Sequence, residues 1–452
     1  MYTHFLTILS RPVRISLVAL GSLLLPMAAS AEISGTWRHE WAQSLPLSDQ
    51  QTQKFESVIE PEWQTSTGEL DWTARLRLRL DTETDHGGFA ERPASYASIN
   101  GAAWGSRHAE LSLREFYVDG EVYEHERLPD MEWRLGKQQV VWGQADGLKV
   151  LDQVNPQSYR EFILESFEDS RIPLWMINLT VITGDNASLQ LLWIPDTSYH
   201  ELASDGSLFE VSNAERVPLV RPAAGQGVTV NDVRKPSRAF KDADIGVRYK
   251  AFWEGWDISL NYLHHTLDLP VFYQDQTATL IQIQPEYERS HLVGASLSNV
   301  FGEVIVRAEI GYQTDSYHYA PTTDSQRGVN HHQELSSVIG IDWQGITDTL
   351  ISMQWFRSQL FSYSASTLRD QTDQTLSLLI RKHFDNQTWK AELLALHSLN
   401  HEDGLLRPKA SYLWLSNLEV WLGADVFYGE RNGLYGQFDQ NDRIVAGFEW
   451  GF

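Results

Sequence analysis

The chain ends Arg443-Ile444-Val445-Ala446-Gly447-Phe448-Glu449-Trp450-Gly451-Phe452, and no other stretch constrains the fold as strongly. Successive side chains of a strand point to opposite faces. Ile444, Ala446, Phe448, Trp450 and Phe452 therefore share one apolar face, while Arg443, Gly447, Glu449 and Gly451 share the other. A strand this apolar on one side and polar on the other suits a wall with lipid outside and water inside.

The same two-residue period recurs along the chain. Trp72, Ala74, Leu76, Leu78 and Leu80 alternate with Thr73, Arg75, Arg77 and Arg79; Leu418, Val420, Leu422, Ala424, Val426 and Tyr428 repeat the pattern near the end. The final strand resembles the C-terminal recognition strand of bacterial outer-membrane proteins, with Phe448, Trp450 and Phe452 as its insertion signal. Barrels of that kind have an even strand number, short turns on the periplasmic side and long loops outside. Short turns are read near Gly68, Asp185-Asn186, Glu254-Gly255, Gly302, Gly345, Asp385-Asn386 and Ser416-Asn417. Alternating them with longer connections predicts an all-β transmembrane antiparallel barrel of 18 strands, with 16 as the neighbouring alternative. The strands are 33–41, 54–64, 70–80, 108–119, 131–142, 174–183, 187–195, 244–253, 256–266, 290–299, 303–315, 334–343, 347–358, 374–384, 388–398, 406–415, 418–428 and 442–452. The segment 277–287 breaks the alternation and is assigned to a structured outer loop, and the 120–130 connection is long for a periplasmic turn. Trp63, Trp72, Trp253, Trp256, Trp343, Trp389, Trp414 and Trp450 fall near the expected periplasmic ends, as an interfacial girdle requires.

The first 31 residues read as a secretory signal peptide: Arg11 and Arg14, an apolar Ile15–Leu25, then Ala29-Ser30-Ala31 for cleavage. Residues 32–452 then form one barrel domain. That apolar run is too short to cross a bilayer, and nothing later approaches the roughly 18–20 apolar residues of a membrane helix. Cleavage removes two arginines and moves the net charge from −24 to −26, which argues against nucleic acid as a partner. With no cysteine, disulfides and thiolate metal sites are excluded.

Two regions carry candidate functional residues. Arg75, Arg77 and Arg79 form a basic ladder, and Glu56 and Glu60 on the preceding strand share a face with Lys54 and Glu62. A hairpin that sets Trp63 against Trp72 places Glu60 opposite Arg75 and Glu56 opposite Arg79, which makes an ion-paired lumen wall. The alternative is a basic track that selects anions. The second region, 136–173, is the least barrel-like. Asn155 and Pro156 suit the N-cap and first position of a helix running to about Phe167. A helix in so long a loop either folds inward as a plug over 143–173, the favoured reading, or covers the mouth.

The run "GKQQVVWGQADGLKVLDQVNPQSYREFIL", followed by Glu168-Asp169-Ser170-Arg171-Ile172-Pro173, resembles the hallmark of an uncharacterised family of bacterial outer-membrane proteins, the domain of unknown function 1302 family. Gly136, Gln138, Trp142, Gly143, Asp146, Gly147, Asp152, Asn155, Pro156, Arg160, Asp169, Arg171 and Pro173 match its motif. The resemblance implies an outer-membrane barrel, in some members associated with a periplasmic lipid-transfer-like protein and an inner-membrane transporter. It thus implies transport of a hydrophobic or amphipathic compound.

The sequence contains no G-x-S-x-G, no H-E-x-x-H and no phosphate-cradling G-x-x-x-x-G-K-[ST]. The pairs His264-His265 and His331-His332 point to opposite strand faces, so neither is expected to hold a metal; Asp439, Asn441 and Asp442 crowd an outer loop without a calcium-loop spacing. The expectation is a non-enzymatic channel in the outer membrane of a Gram-negative bacterium, reached by export, signal cleavage and the barrel assembly machinery. It is surrounded by lipid and lipopolysaccharide, carries no cofactor, and passes a small or amphipathic solute. The alternatives are an outer-membrane lipid hydrolase and a barrel that anchors adhesive or assembly loops.

Overall fold

A strand in lipid has no water for its backbone N–H and C=O groups, so a sheet is stable there only when its two edges meet. The structure, a computed structural model, describes residues 31–452 apart from 47–50, 84–87, 90–100, 146, 219, 234, 237 and 326. The expected leader and the motif residue Asp146 lie outside the described residues, except for Ala31. Eighteen antiparallel strands close into a barrel. They are β1 (Glu32–Ser44), β2 (Thr52–Thr67), β3 (Leu70–Asp81), β4 (Ala109–Val122), β5 (Met131–Gln138), β6 (Leu174–Gly184), β7 (Ala187–Ile194), β8 (Asp244–Trp253) and β9 (Trp256–Thr266). The second half comprises β10 (Arg289–Phe301), β11 (Val304–Tyr319), β12 (Val329–Ile346), β13 (Thr349–Phe361), β14 (Thr372–Phe384), β15 (Trp389–Ser398), β16 (Gly404–Leu415), β17 (Leu418–Tyr428) and β18 (Arg443–Gly451).

The seam joins β1 to β18 from Thr36↔Gly451 to Ser44↔Arg443. Beyond the last strand residue, Gly35 and Phe452 exchange two backbone hydrogen bonds of 2.9 Å, so the C-terminal residue itself closes the sheet. Trp450 and Phe452 are exposed on the outer face while Arg443 and Val445 are buried inside, as the alternation requires. Leu260, Val293, Ile339, Met353, Leu376 and Leu422 are exposed apolar residues on other strands. They belong to the lipid-facing band, and exposed Trp253, Trp343, Trp389, Trp414 and Trp450 sit near its periplasmic end.

The strand boundaries agree with the alternation of the sequence to within a few residues at most ends, with instructive exceptions. β5 leaves the wall after Gln138 and not at 142. The turn expected at Gly345 lies at 347–348, where Asp348 takes φ 55°; Gly345 instead sits in an irregularity of the β12–β13 ladder, between Trp343 and Ile346. Leu280–Glu286 belongs to a separate three-stranded sheet with Gly227–Val230 and Val271–Gln276, outside the barrel wall.

Leu422 lies mid-strand, 58% exposed to the lipid side. Leu422→Arg is expected to destabilise the barrel by about 2–4 kcal/mol, read from unfolding in phospholipid bilayers; no change would place that face against water.

Candidate functional site

Residues 139–173, which connect β5 to β6, pack against the charged side chains of the wall, with Glu165 on Arg79 and Arg160 on Glu56. The helix expected from Asn155 to Phe167 does not form. Among the described residues of this segment the helix is α1 (Phe167–Ser170), capped by the Ser166 side chain accepting from the Asp169 N–H. Asn155 is used differently: its Oδ1 accepts from the Val140 N–H at 2.8 Å and its Nδ2 donates to the Ile172 carbonyl at 2.9 Å. The side chain buckles the two ends of the loop together, and the Pro156 carbonyl accepts from the Ile172 N–H beside it. A side chain committed to tertiary partners cannot also cap a helix, and the chain from Gln157 to Leu164 follows the wall contacts.

The first half of the plug is anchored by apolar packing. Trp142 is fully buried and donates to Gln190 Oε1 at 2.9 Å; its ring lies against Gly246, where a Cβ would come within 2.8 Å. Leu151 likewise occupies the space above Gly294, so these two strand glycines are the seats for plug side chains. Gly143 packs on Asp152, and Gly147, at φ 96°, turns the chain beside Leu396. Gln138, fully buried, accepts from Asn178 at 3.2 Å and donates to the Met176 carbonyl at 3.4 Å.

The second half is tied down by charge. Arg160 donates twice to Glu56 at 2.9 Å, and Glu161 receives Lys54 at 2.7 Å and Arg443 at 3.1 Å. Asp169 bridges Arg38 at 2.6 Å and Arg77 at 3.1 Å. Asp152 and Arg171 pair with each other at 2.8 Å inside the plug rather than with the wall, while Pro173 returns the chain to β6. Among these partners, Arg38 and Arg443 were not singled out from the sequence; their lumen-side parity in β1 and β18 is the signal that would have found them.

The lumen wall shows a corrected register. The β2–β3 hairpin closes at Thr67↔Leu70, which shifts every pair by two residues from the arrangement that sets Trp63 against Trp72. Arg75 therefore meets Glu62 at 2.5 Å and Arg77 meets Glu60 at 2.5 Å, so Glu60 does not face Arg75. Arg79 still reaches Glu56, at 2.8 Å, and also binds Glu165 of the plug at 2.8 Å. A two-residue shift keeps the faces unchanged, which is why the ion-paired wall survives the error.

Two cavities flank the plug. One, of about 1040 Å³, lies toward the periplasmic mouth, with Arg38, Glu60, Lys390, Glu392, Lys409 and Glu419 among its lining residues. The other, of about 240 Å³, lies between the plug and the β3–β5 wall, with Arg77, Arg79, Arg114 and Lys137 in its lining. Asp169 lines both, so its ion pairs form the partition between them. Burial raises the Asp169 carboxyl pKa, but the facing Arg38 and Arg77 outweigh it and hold the pKa well below the usual carboxylate value. In the neighbouring outer loop, burial, reinforced by nearby Lys149, lowers the His200 imidazole to about 3. The ring is then neutral and accepts from the Gln157 N–H at 2.9 Å, which ties the 195–243 loop to the plug.

A family model described as "Protein of unknown function (DUF1302)" matches residues 16–452. No curated protein matches the sequence. Among solved structures, the fold is similar to that of Pseudomonas aeruginosa OpdK with vanillate. Its TM-score is 0.51 at 8% identity, over 94% of this chain and 99% of that one. It is also similar to P. aeruginosa OccD3 (OpdP), with a TM-score of 0.48 at 9% identity over 94% and 92% of the two chains. The outer membrane channel DcaP of Acinetobacter baumannii gives 0.41 at 8% identity over 94% and 97%.

Asp169→Asn leaves Arg38 and Arg77 without their shared carboxylate. The expected cost is toward the lower end of the roughly 3–5 kcal/mol for breaking a buried pair, read as faster protease cleavage within 160–171. A carboxyl held low in the folded state contributes stability above its ordinary value of ~3.9 and loses it only as pH falls through the lowered folded value. The wild-type plug should therefore stay protected at about pH 4, while the Asn variant is cleaved at neutral pH as well. Equal cleavage of the two at neutral pH would remove Asp169 from the anchor.

Proposed function

From the premise that the chain belongs to the DUF1302 family, whose model spans nearly its whole length, we propose that it is an outer-membrane channel. It is constricted by its own inward loop and passes small polar or charged solutes. The observation that carries this reading is the placement of Asp169 between two polar cavities inside a closed barrel. A channel needs a polar path, a constriction that selects, and groups that exchange partners as the solute passes. The lumen supplies the path, residues 139–173 supply the constriction, and the shared carboxylate of Asp169 supplies the exchangeable contact.

The charged lining of both cavities favours a small polar solute over a lipid or other amphipathic compound, because burying an apolar chain among ionised groups strips their hydration for no return. Work alongside a periplasmic lipid-transfer protein and an inner-membrane transporter would require a less polar conduit than these cavities. The reading involves no catalytic step. It includes export with removal of residues 1–31, insertion by the barrel assembly machinery and a lipopolysaccharide-facing outer rim.

Three proteins decide the matter in planar bilayers and in liposome uptake: wild type, Asp169→Asn, and a deletion of 144–170. Wild type is expected to conduct in small, interrupted steps, the Asn variant to conduct more, and the deletion to open widely. Absence of current and of uptake in all three, with the barrels folded, would overturn the channel.

A further inference from the structure

We propose that the smaller cavity is a binding site for a small monocarboxylate, held by Arg114 and Lys137; the inference rests on the channel reading above and gives it a substrate class.

Two local departures from regular strand geometry bring these cations together. The β3–β4 ladder slips between Arg75↔Glu115 and Leu76↔Leu113, leaving Arg114 as the extra residue of a bulge. A bulge re-aims the side chain it carries. On the facing strand Gly136 takes φ 134°, and a Cβ there would come within 2.7 Å of the Tyr117 Cα, so only glycine fits. Lys137 shares strand parity with exposed Leu135, yet it is 6% exposed and lines the cavity. The kink at Gly136 thus turns inward a lysine that an undistorted strand would present to lipid.

Both cations are buried, and the hydrogen bonds they make are to backbone carbonyls. Arg114 Nη2 donates to the Glu168 and Asp169 carbonyls at 2.7 and 3.1 Å, and Lys137 Nζ donates to the Leu113 carbonyl at 2.5 Å. A guanidinium has five N–H donors and an ammonium three, so donors remain on each for a guest. The neighbouring arginines are differently placed: Arg77 binds Glu60 and Asp169, and Arg79 binds Glu56 and Glu165. The cavity lining holds four cations, Arg77, Arg79, Arg114 and Lys137, against three carboxylates, Glu110, Asp169 and Glu201. Arg77 and Arg79 are matched by the carboxylates they bind, so Arg114 and Lys137 are the cations left for a guest, and Glu110 and Glu201 in the same lining disfavour a second negative charge on it. At about 240 Å³ the space corresponds to roughly eight water molecules, which suits a short organic acid and excludes a lipid. A carboxylate accepts bidentately from a guanidinium and at the same time from an ammonium. Once seated, it stands beside Arg77, the arginine that also holds Asp169 in the partition, so the next step toward the periplasmic cavity is an exchange of one carboxylate for another.

The test uses the full-length barrel in detergent for equilibrium binding of radiolabelled butyrate, and the same protein in liposomes for uptake. Butyramide, the uncharged isostere, is the competitor control. Expected are saturable butyrate binding in wild type with no competition by butyramide, and about tenfold weaker binding in Arg114→Gln and in Lys137→Gln, with partial recovery in Arg114→Lys. Butyramide competing as well as butyrate, or no saturable binding in wild type, overturns the site even if a Gln variant fails to fold. Gln variants that keep the folded, heat-modifiable mobility and bind as tightly as wild type overturn it too. Binding without uptake in liposomes removes the channel and leaves the site; uptake without saturable binding removes the site and leaves the channel.

Discussion

The closure of the sheet along the β1–β18 seam, from Gly35 and Phe452 to Ser44 and Arg443, is the contact on which everything else in the molecule depends. Without it, two strand edges would expose unpaired backbone groups to hydrocarbon, at several kilocalories per mole for each group. With it, the wall has no edge and the chain is divided into an apolar exterior and an interior that is free to be polar. That division explains how one chain can carry exposed Leu260, Leu422 and Met353 alongside buried Lys54, Glu56, Arg79, Arg160 and Arg443. The charges are not a departure from ordinary packing; they occupy the one compartment where a membrane barrel can place them.

Inside that compartment, the plug is fixed in two ways. Residues Val140 to Val154 are seated by packing: Trp142 against Gly246, Leu151 above Gly294, and Val150 and Leu151 against Val338 and Phe356. Around Arg160 to Asp169 the dominant contacts are ionic, although Phe162 and Leu164 add an apolar cluster with Phe209, Phe427 and Phe438. Glu56 alone is approached by Arg79, Arg160 and Lys54. Packed aromatic and aliphatic groups have few alternative arrangements, whereas shared carboxylates can pass from one cation to another. The first half is therefore the fixed root, and in the proposed channel the second half is the part that would respond to a passing ion.

Strand identity was legible because period-two alternation is imposed by the lipid face, and eighteen strands could be counted from the polarity of side chains and the lengths of turns. Register was legible only up to a two-residue slip, since Glu60 and Glu62 are chemically equivalent partners for Arg75 and the hairpin at Thr67–Leu70 chooses between them. The length of the 139–173 loop left an inward plug and a lid over the mouth both open, and its conformation was not legible. Asn155 followed by Pro156 has the local chemistry of a helix start, and the helix loses because the Asn155 amide is worth more bridging Val140 to Ile172. The roles of Arg114 and Lys137 are not legible in the sequence for a related reason. Their inward placement comes from a bulge and from a glycine at positive φ, and strand parity assigns Lys137 to the lipid side.

Why the partition should be ionic at all follows from energetics. A buried ion pair costs nearly as much in lost hydration as it returns in attraction, and apolar residues of the same volume would hold a loop as firmly. What an ion pair adds is a low cost of substitution. In the proposed exchange, an anion at Arg77 would replace Asp169, and Asp169 would retain Arg38, its partner at 2.6 Å, so that no charge is left bare. An apolar partition offers no such intermediate, because opening it exposes surface with nothing to cover it. In the channel proposed here, two arginines on one carboxylate would form a closure that a charged solute opens and a neutral one of the same size does not, and selectivity would reside in that difference.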